Sequence, residues 1–334
     1  MKLRSILIAL IFSLILAACN FPAMRTPTSD VVEPTSTPGV APLGTETNPI
    51  VMAIRPGATP EAAESAARLA GELSRLVGVV VVARETKSYN AIVDGLGAGE
   101  IHMAWLPPLA YLLAHENGDA DAALAIVTEG RERAGFQFMV SAARISGVSG
   151  FRTYFDPASG ENLVDASAAL AQFADKRPCW TDAYAPAGYV LPQEILNANE
   201  IATRQGAFLQ GEDTVVRTLY RDTRGDLCDF GVTSVDARAL LAAELPDVMD
   251  KVAVVWRGAA AIPNDSLAYA PALADDVRIH LTAAFLAIAA SEEGMNDLRV
   301  AYGVDDLKMI DDTFFNELRG FLSFPFSELR KYIR

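Results

Sequence analysis

The sequence predicts an α/β protein of two lobes, each a mostly parallel sheet with helices on both faces. Three observations predict it. Short apolar runs alternate with amphipathic stretches along the chain. Some runs, such as Val79–Ala83, are apolar at every position, as strands buried on both faces of a parallel sheet are. The alternation pauses over about 144–168 and then resumes, which gives two βα series, and 334 residues suit two domains of ordinary size.

The elements follow in order. Ile50–Ile54 is a strand. Thr59, Pro60 and Glu61 open a helix as N-cap, first-turn proline and first-turn acid. Ala62, Ala66, Leu69, Leu73 and Leu76 give it an apolar face, and Gly78 ends it. Strand Val79–Ala83 follows. Ser88 caps a helix running to about Leu96, then come strand Ile101–Leu106, helix Pro108–Glu116 and strand Ala122–Thr128. In the second series Pro178–Thr181, Gly206–Gln210, Leu227–Thr233 and Val252–Trp256 are strands. Helices over Pro186–Asn197, Asp213–Arg221 and Asp236–Leu245 separate them. The C-terminal part is helical over about 273–291, 293–301 and 311–331. Phe136–Ala142 and Val252–Trp256 are the candidate crossings between lobes, so lobe I takes 49–140 and 252–334 and lobe II takes 141–251.

The N-terminus points to a location. Lys2 and Arg4 precede the apolar run Ile6–Ala18, which is shorter than the roughly 20 residues of a membrane span. The run ends in Leu16-Ala17-Ala18-Cys19, which resembles a bacterial lipobox. Residues 1–18 are then a lipoprotein signal peptide. Cys19 is the lipidated mature N-terminus, anchoring the protein to the cell membrane on its extracytoplasmic side. An ordinary signal peptide or a short anchor is the other reading. Residues 19–48, rich in Pro, Thr and Ser, form a tether.

Composition narrows the function. A chain that is 51% hydrophobic is not disordered throughout. A formal charge of −14 argues against nucleic acid as a partner. Three scattered histidines argue against a metal site, and no cofactor motif is present. There is no Gly-x-Ser-x-Gly elbow, Walker A loop or His-Glu-x-x-His, so no enzyme is expected, and Asp182, Glu212, Asp229 and Asp236 read as dispersed acids. Cys179 and Cys228 both fall on predicted strands of lobe II. They form a disulfide in an oxidising exterior or stay as two buried thiols.

Several segments carry a family resemblance in their order and spacing. They are Ser88–Leu96 with Gly99–Trp105, Pro108-Leu109-Ala110-Tyr111, Asp182–Tyr189, Gly211-Glu212-Asp213, Asp236-Ala237-Arg238 and Ala261–Asp265. Over about residues 50–320 the chain resembles the phosphate, phosphite and phosphonate substrate-binding proteins of ABC importers, which have the two-lobed periplasmic-binding-protein fold. The resemblance implies a small-molecule ligand held in the cleft between lobes by hinge closure, an ABC permease as partner, a monomer and no cofactor. In that family Asp-Pro-x-Ser-Thr-Ser-Gly-Tyr holds the anion by hydroxyls and helix N-terminal amides. Here Ala185, Pro186 and Ala187 replace the hydroxyl residues, Glu212 replaces a histidine, and Pro107 replaces a glycine. The oxyanion pocket is therefore depleted. The expected ligand-binding set is Arg55, Tyr89, Trp105, Tyr111, Tyr184, Pro186, Ala187, Glu212 and Asp236. Its aromatic and acidic character suits an organic cation or a heterocycle. Set against this, Trp105 and Trp180 on strands read equally as core, Tyr189 as packing, Glu212 as a helix N-terminal charge and Arg55 as a salt-bridge partner. A surface sensor without transport, and phosphonate or phosphite binding through replaced donors, are the alternative functions.

Overall fold

The computed structural model describes residues 41–145 and 150–333. The first lobe begins with β1 (Ile50–Ile54), β2 (Val81–Glu85), β3 (Met103–Leu106) and β4 (Asp121–Val127), joined by three helices. Local chemistry sets the helix ends. Thr59 Oγ1 accepts from Ala62 N at the start of the Pro60–Val77 helix, and Gly78 closes it in the left-handed region at φ 75°. Ser88 Oγ accepts from Ala91 N at the start of Tyr89–Ala98, and Gly99 closes that helix in the same way. Pro108–Glu116 is the third helix.

The chain then crosses over. β5 (Arg133–Ala134) leads into β6 (Phe136–Ser141), and the hairpin β7 (Phe155–Asp156) with β8 (Glu161–Asn162) follows. Next come β9 (Pro178–Trp180), β10 (Ala207–Phe208), β11 (Phe230–Ser234) and β12 (Val252–Arg257). The return runs through β13 (Ile262–Pro263), which pairs antiparallel with β5. It continues to β14 (Ser266–Tyr269), helices Asp275–Ala289 and Glu292–Tyr302, and β15 (Asp306–Met309).

The first sheet has the order β15-β4-β14-β3-β1-β2 and the second β10-β9-β11-β6-β12. Both sheets are mixed rather than mostly parallel. β1, β2 and β3 are parallel, but β14 returns from the second lobe and runs antiparallel between β3 and β4. In the second sheet β9, β10 and β11 are parallel, and β6 is antiparallel to β11 and β12. Because β6 and β12 lie wholly in the second sheet, the lobe boundary falls at β5 and β13. Residues 136–140 and 252–257, placed in lobe I from sequence, belong to lobe II.

Alternation along β1 sends side chains to both faces. Ile50, Met52 and Ile54 pack with Leu69, Leu73, Phe285 and Leu298 on one side, and Val51 and Ala53 with Ile92, Val93 and Leu109 on the other. The Pro60–Val77 and Glu292–Tyr302 helices are tied by Arg68, whose Nε donates to both oxygens of buried Asp297 at 3.1 and 3.0 Å.

Three further expectations are corrected, and the stretch after residue 150, whose role the sequence leaves open, is placed. Residues 41–48, assigned to the tether, are folded: Gly44 N donates to Asn48 O at 2.7 Å, and Val80 N to Gly44 O at 2.8 Å. The irregular stretch after residue 150 docks on β12 through Tyr154 N to Val255 O at 2.8 Å and Asn162 Nδ2 to Arg257 O at 2.7 Å. Asp236–Leu245 is a 3-10 turn, Ala237–Leu241, and the helix comes later at Val248–Lys251. The expected helix over 311–331 is broken into Asp312–Phe315, Asn316–Phe321 and Phe326–Tyr332, with Pro325 at the last break.

That C-terminal segment joins the lobes a third time. Phe314 O accepts from Arg133 Nη2 on the outward crossing at 2.6 Å. Ser323 N donates to Glu194 of the lobe II helix Leu191–Ala198 at 3.0 Å. The chain then returns to lobe I, where Asn90 Nδ2 donates to Ile333 O at 2.8 Å and Arg330 pairs with Asp94 at 2.6 Å.

Candidate functional site

Helix starts from both lobes face a cavity of about 330 Å³. Lobe I contributes Pro107 and Pro108 at the turn from β3 into its helix, and lobe II contributes Pro186 and Ala187 at the turn after β9. The returning crossing, Ile262–Asp265, forms the floor together with Thr128 and Tyr302. Proline fits the first helical turn because the N–H it lacks has no intrahelical partner there. The same lack leaves a helix start poorer in donors for an anion. Gly188, on the lobe II turn, is required by close approach, since a Cβ there would overlap the Thr181 hydroxyl.

Asp265 is the charged group on the cavity wall. Its carboxyl is half-buried, and burial pushes its pKa up to about 6 against the opposing pull of Arg55. Arg55, just past β1, makes no ion pair within 4 Å among the described residues. Tyr89, the first residue of its helix, feels both charges. Burial first and Asp265 second raise its hydroxyl above the usual range, while Arg55 lowers it. Burial likewise raises the Tyr302 hydroxyl, which donates to Ala53 O at 3.5 Å.

The structure brings part of the expected set to this cavity. Pro186 and Ala187 line it, and Arg55 and Tyr89 share its charge field through Asp265. Tyr184 is half-buried just before the lobe II turn, its N–H donating to Asp182 Oδ1 at 2.8 Å. Trp105 is placed in the lobe I core instead, 2% exposed, with its ring edge-on to Phe285 at 5.8 Å and tilted against Tyr302 at 5.6 Å. Tyr111 is also fully buried, because its helix is covered by the C-terminal segment. Its hydroxyl donates to Asp312 at 3.0 Å and its ring lies 4.0 Å from Phe315.

The two acids proposed to meet a cation are engaged within lobe II. Glu212 accepts from Ser234 N and Oγ, both at 2.8 Å, fixing the end of β11 to a helix start. Asp236 accepts from Arg257 Nη2 at 2.6 Å. Trp180 is core, edge-on to Tyr189 at 5.4 Å. Cys179 on β9 and Cys228, two residues before β11, form a disulfide, Cα atoms 5.6 Å apart. Cys19 lies outside the described residues.

Asp265 and Tyr302 were not singled out from sequence. Asp265 had a signal, since it ends the Ala261–Asp265 segment read as the return to lobe I. Tyr302 had none, lying in the last turn of an ordinary amphipathic helix.

Two lobes on mixed α/β sheets, two crossing strands and a cleft between helix starts define a two-lobed solute-binding protein. A family model described as ABC transporter, phosphonate, periplasmic substrate-binding protein matches residues 52–314, and the chain belongs to that family. It is a non-enzymatic, extracytoplasmic solute-binding protein of an ABC transporter, with a small-molecule ligand and a permease as partners. The fold is shared with XAC2383 from Xanthomonas citri bound to ATP, at 16% identity and TM-score 0.62, covering 85% of this chain and 97% of that one. A binding protein component of an ABC phosphonate transporter from Pseudomonas aeruginosa is 15% identical, with TM-score 0.53 and coverage of 84% and 85%. PhnD1 from Prochlorococcus marinus in complex with methylphosphonate is 11% identical, with TM-score 0.54 and coverage of 81% and 96%. No curated protein matches the sequence. Among the described residues no helix is long and apolar enough to cross a membrane.

Proposed function

We propose that the chain is a lipid-anchored, monomeric receptor that closes its two lobes over an organic cation or heterocycle and passes it to its permease. Cys19, at the end of the apolar leader, is the anchor. Closure is a shift toward a form in which ligand touches both lobes at once. It bends at the β5–β13 crossing, with the C-terminal segment moving against Glu194.

One observation carries the ligand class: both helix starts at the cleft open with proline, at Pro107-Pro108 and Pro186, where an oxyanion would need N–H donors. Phosphonate or phosphite bound through replaced donors is the second reading, favoured by Arg55 with no ion-pair partner among the described residues. Thermal unfolding with phosphate, phosphite, methylphosphonate, quaternary amines, polyamines and pyrimidines separates them. A ligand at about 100 times its Kd adds about 2.7 kcal/mol. A shift with amines or heterocycles alone supports the proposal, and a shift with phosphorus oxyanions selects the second reading.

A further inference from the structure

Asp265 differs from the other acids around the lobe junction. Asp236 is held by Arg257, Glu212 by Ser234, Asp312 by Tyr111 and Arg319, and Glu194 by Ser323. Asp265 sits one residue before β14, half-buried on the wall of the inter-lobe cavity; its backbone O accepts from Ile126 N at 2.9 Å, but its carboxylate has no hydrogen bond or ion pair to any described residue. A carboxylate withdrawn from water without a donor costs free energy that the fold does not return.

We infer that Asp265 is the specificity-determining residue of the cleft and takes the ammonium nitrogen of a ligand whose apolar body lies against Pro107, Pro108, Pro186 and Ala187. The inference rests on the cleft reading above and names the group within it that selects the ligand. Tyr302 lines the same cavity. Arg55 stands beyond ion-pair distance, yet its charge opposes the effect of burial and favours the ionised carboxylate. An anionic ligand would meet that carboxylate in the same small cavity.

The test is calorimetric titration of the purified protein with choline, spermidine and benzylamine at millimolar concentration, beside benzyl alcohol and methylphosphonate. The expected result is binding of at least one cation, none of benzyl alcohol or methylphosphonate, and a loss of about 30-fold or more in Asp265→Asn. Asp265→Ser, with thermal unfolding of both variants, separates lost recognition from lost folding. A cation bound equally well by folded variants overturns the inference, and so does binding of no cation. If methylphosphonate or benzyl alcohol binds while the cations do not, cation recognition fails and a solute-binding cleft stands.

Discussion

Replacing Asp265 by Asn should make the ligand-free protein more stable. The folded carboxyl titrates near 6 and the unstructured one near 3.8. Between those values the folded state keeps a proton that the unfolded state has released, so the stability contributed by this group falls as pH rises through the window. The difference of about 2 units corresponds to about 3 kcal/mol of destabilisation, fully present above pH 6 and absent below about 3.8. Asn keeps the shape without the charge. Asp265→Asn should therefore unfold about 5 °C above wild type at pH 7.5, given the unfolding entropy of a chain this long. The gap should narrow through pH 6 to 4 and vanish below it. Arg55, Tyr89 and Tyr302 are the charged and titratable neighbours that act on this cavity, and neither tyrosine ionises in the window. Thermal unfolding of both proteins across pH 4–8 is the assay. Equal stability at pH 7.5, or a gap that ignores pH, refutes the reasoning.

Other perturbations test the remaining structure. Reducing the Cys179–Cys228 bond, which closes a loop of sequence separation 49, should lower stability by up to about 4 kcal/mol; unchanged unfolding under reductant would show the bond contributes nothing. Trp105→Ala should cost about 3–5 kcal/mol as a core truncation, read by denaturant unfolding, whereas near-wild-type stability would return Trp105 to the cleft. Gly258→Ala should destabilise strongly, because a Cβ there overlaps the Phe136 ring at the start of the return crossing. Cys19→Ala should release the protein from the membrane fraction, and intact attachment would exclude the lipid at that residue.

Lobe I was legible because its signals are local. Thr59, Ser88 and Gly78 each mark a helix end by their own chemistry, and the structure uses all three. β15 was not legible. Asp306–Met309 is a polar edge strand with one buried side chain, so no periodicity marks it. The lobe boundary was misplaced because β6 and β12 are apolar whichever sheet they join, and only their pairing with each other and with β11 assigns them. The same limit applies at the site. Pro186 and Ala187 were found by position in a motif. Tyr111 looks like a cleft aromatic until the C-terminal segment covers it, and Asp236 looks like a free acid until Arg257 is folded beside it. Which charges are satisfied is a property of tertiary contacts, and Asp265 stands out only once those contacts are known.

The most direct test of the account is small-angle X-ray scattering with and without saturating ligand, using the compound that gives the largest thermal shift. Closure of the two lobes about the β5–β13 crossing should shrink the radius of gyration and shorten the maximum dimension. Superimposable profiles from the free and fully bound protein would contradict capture by closure.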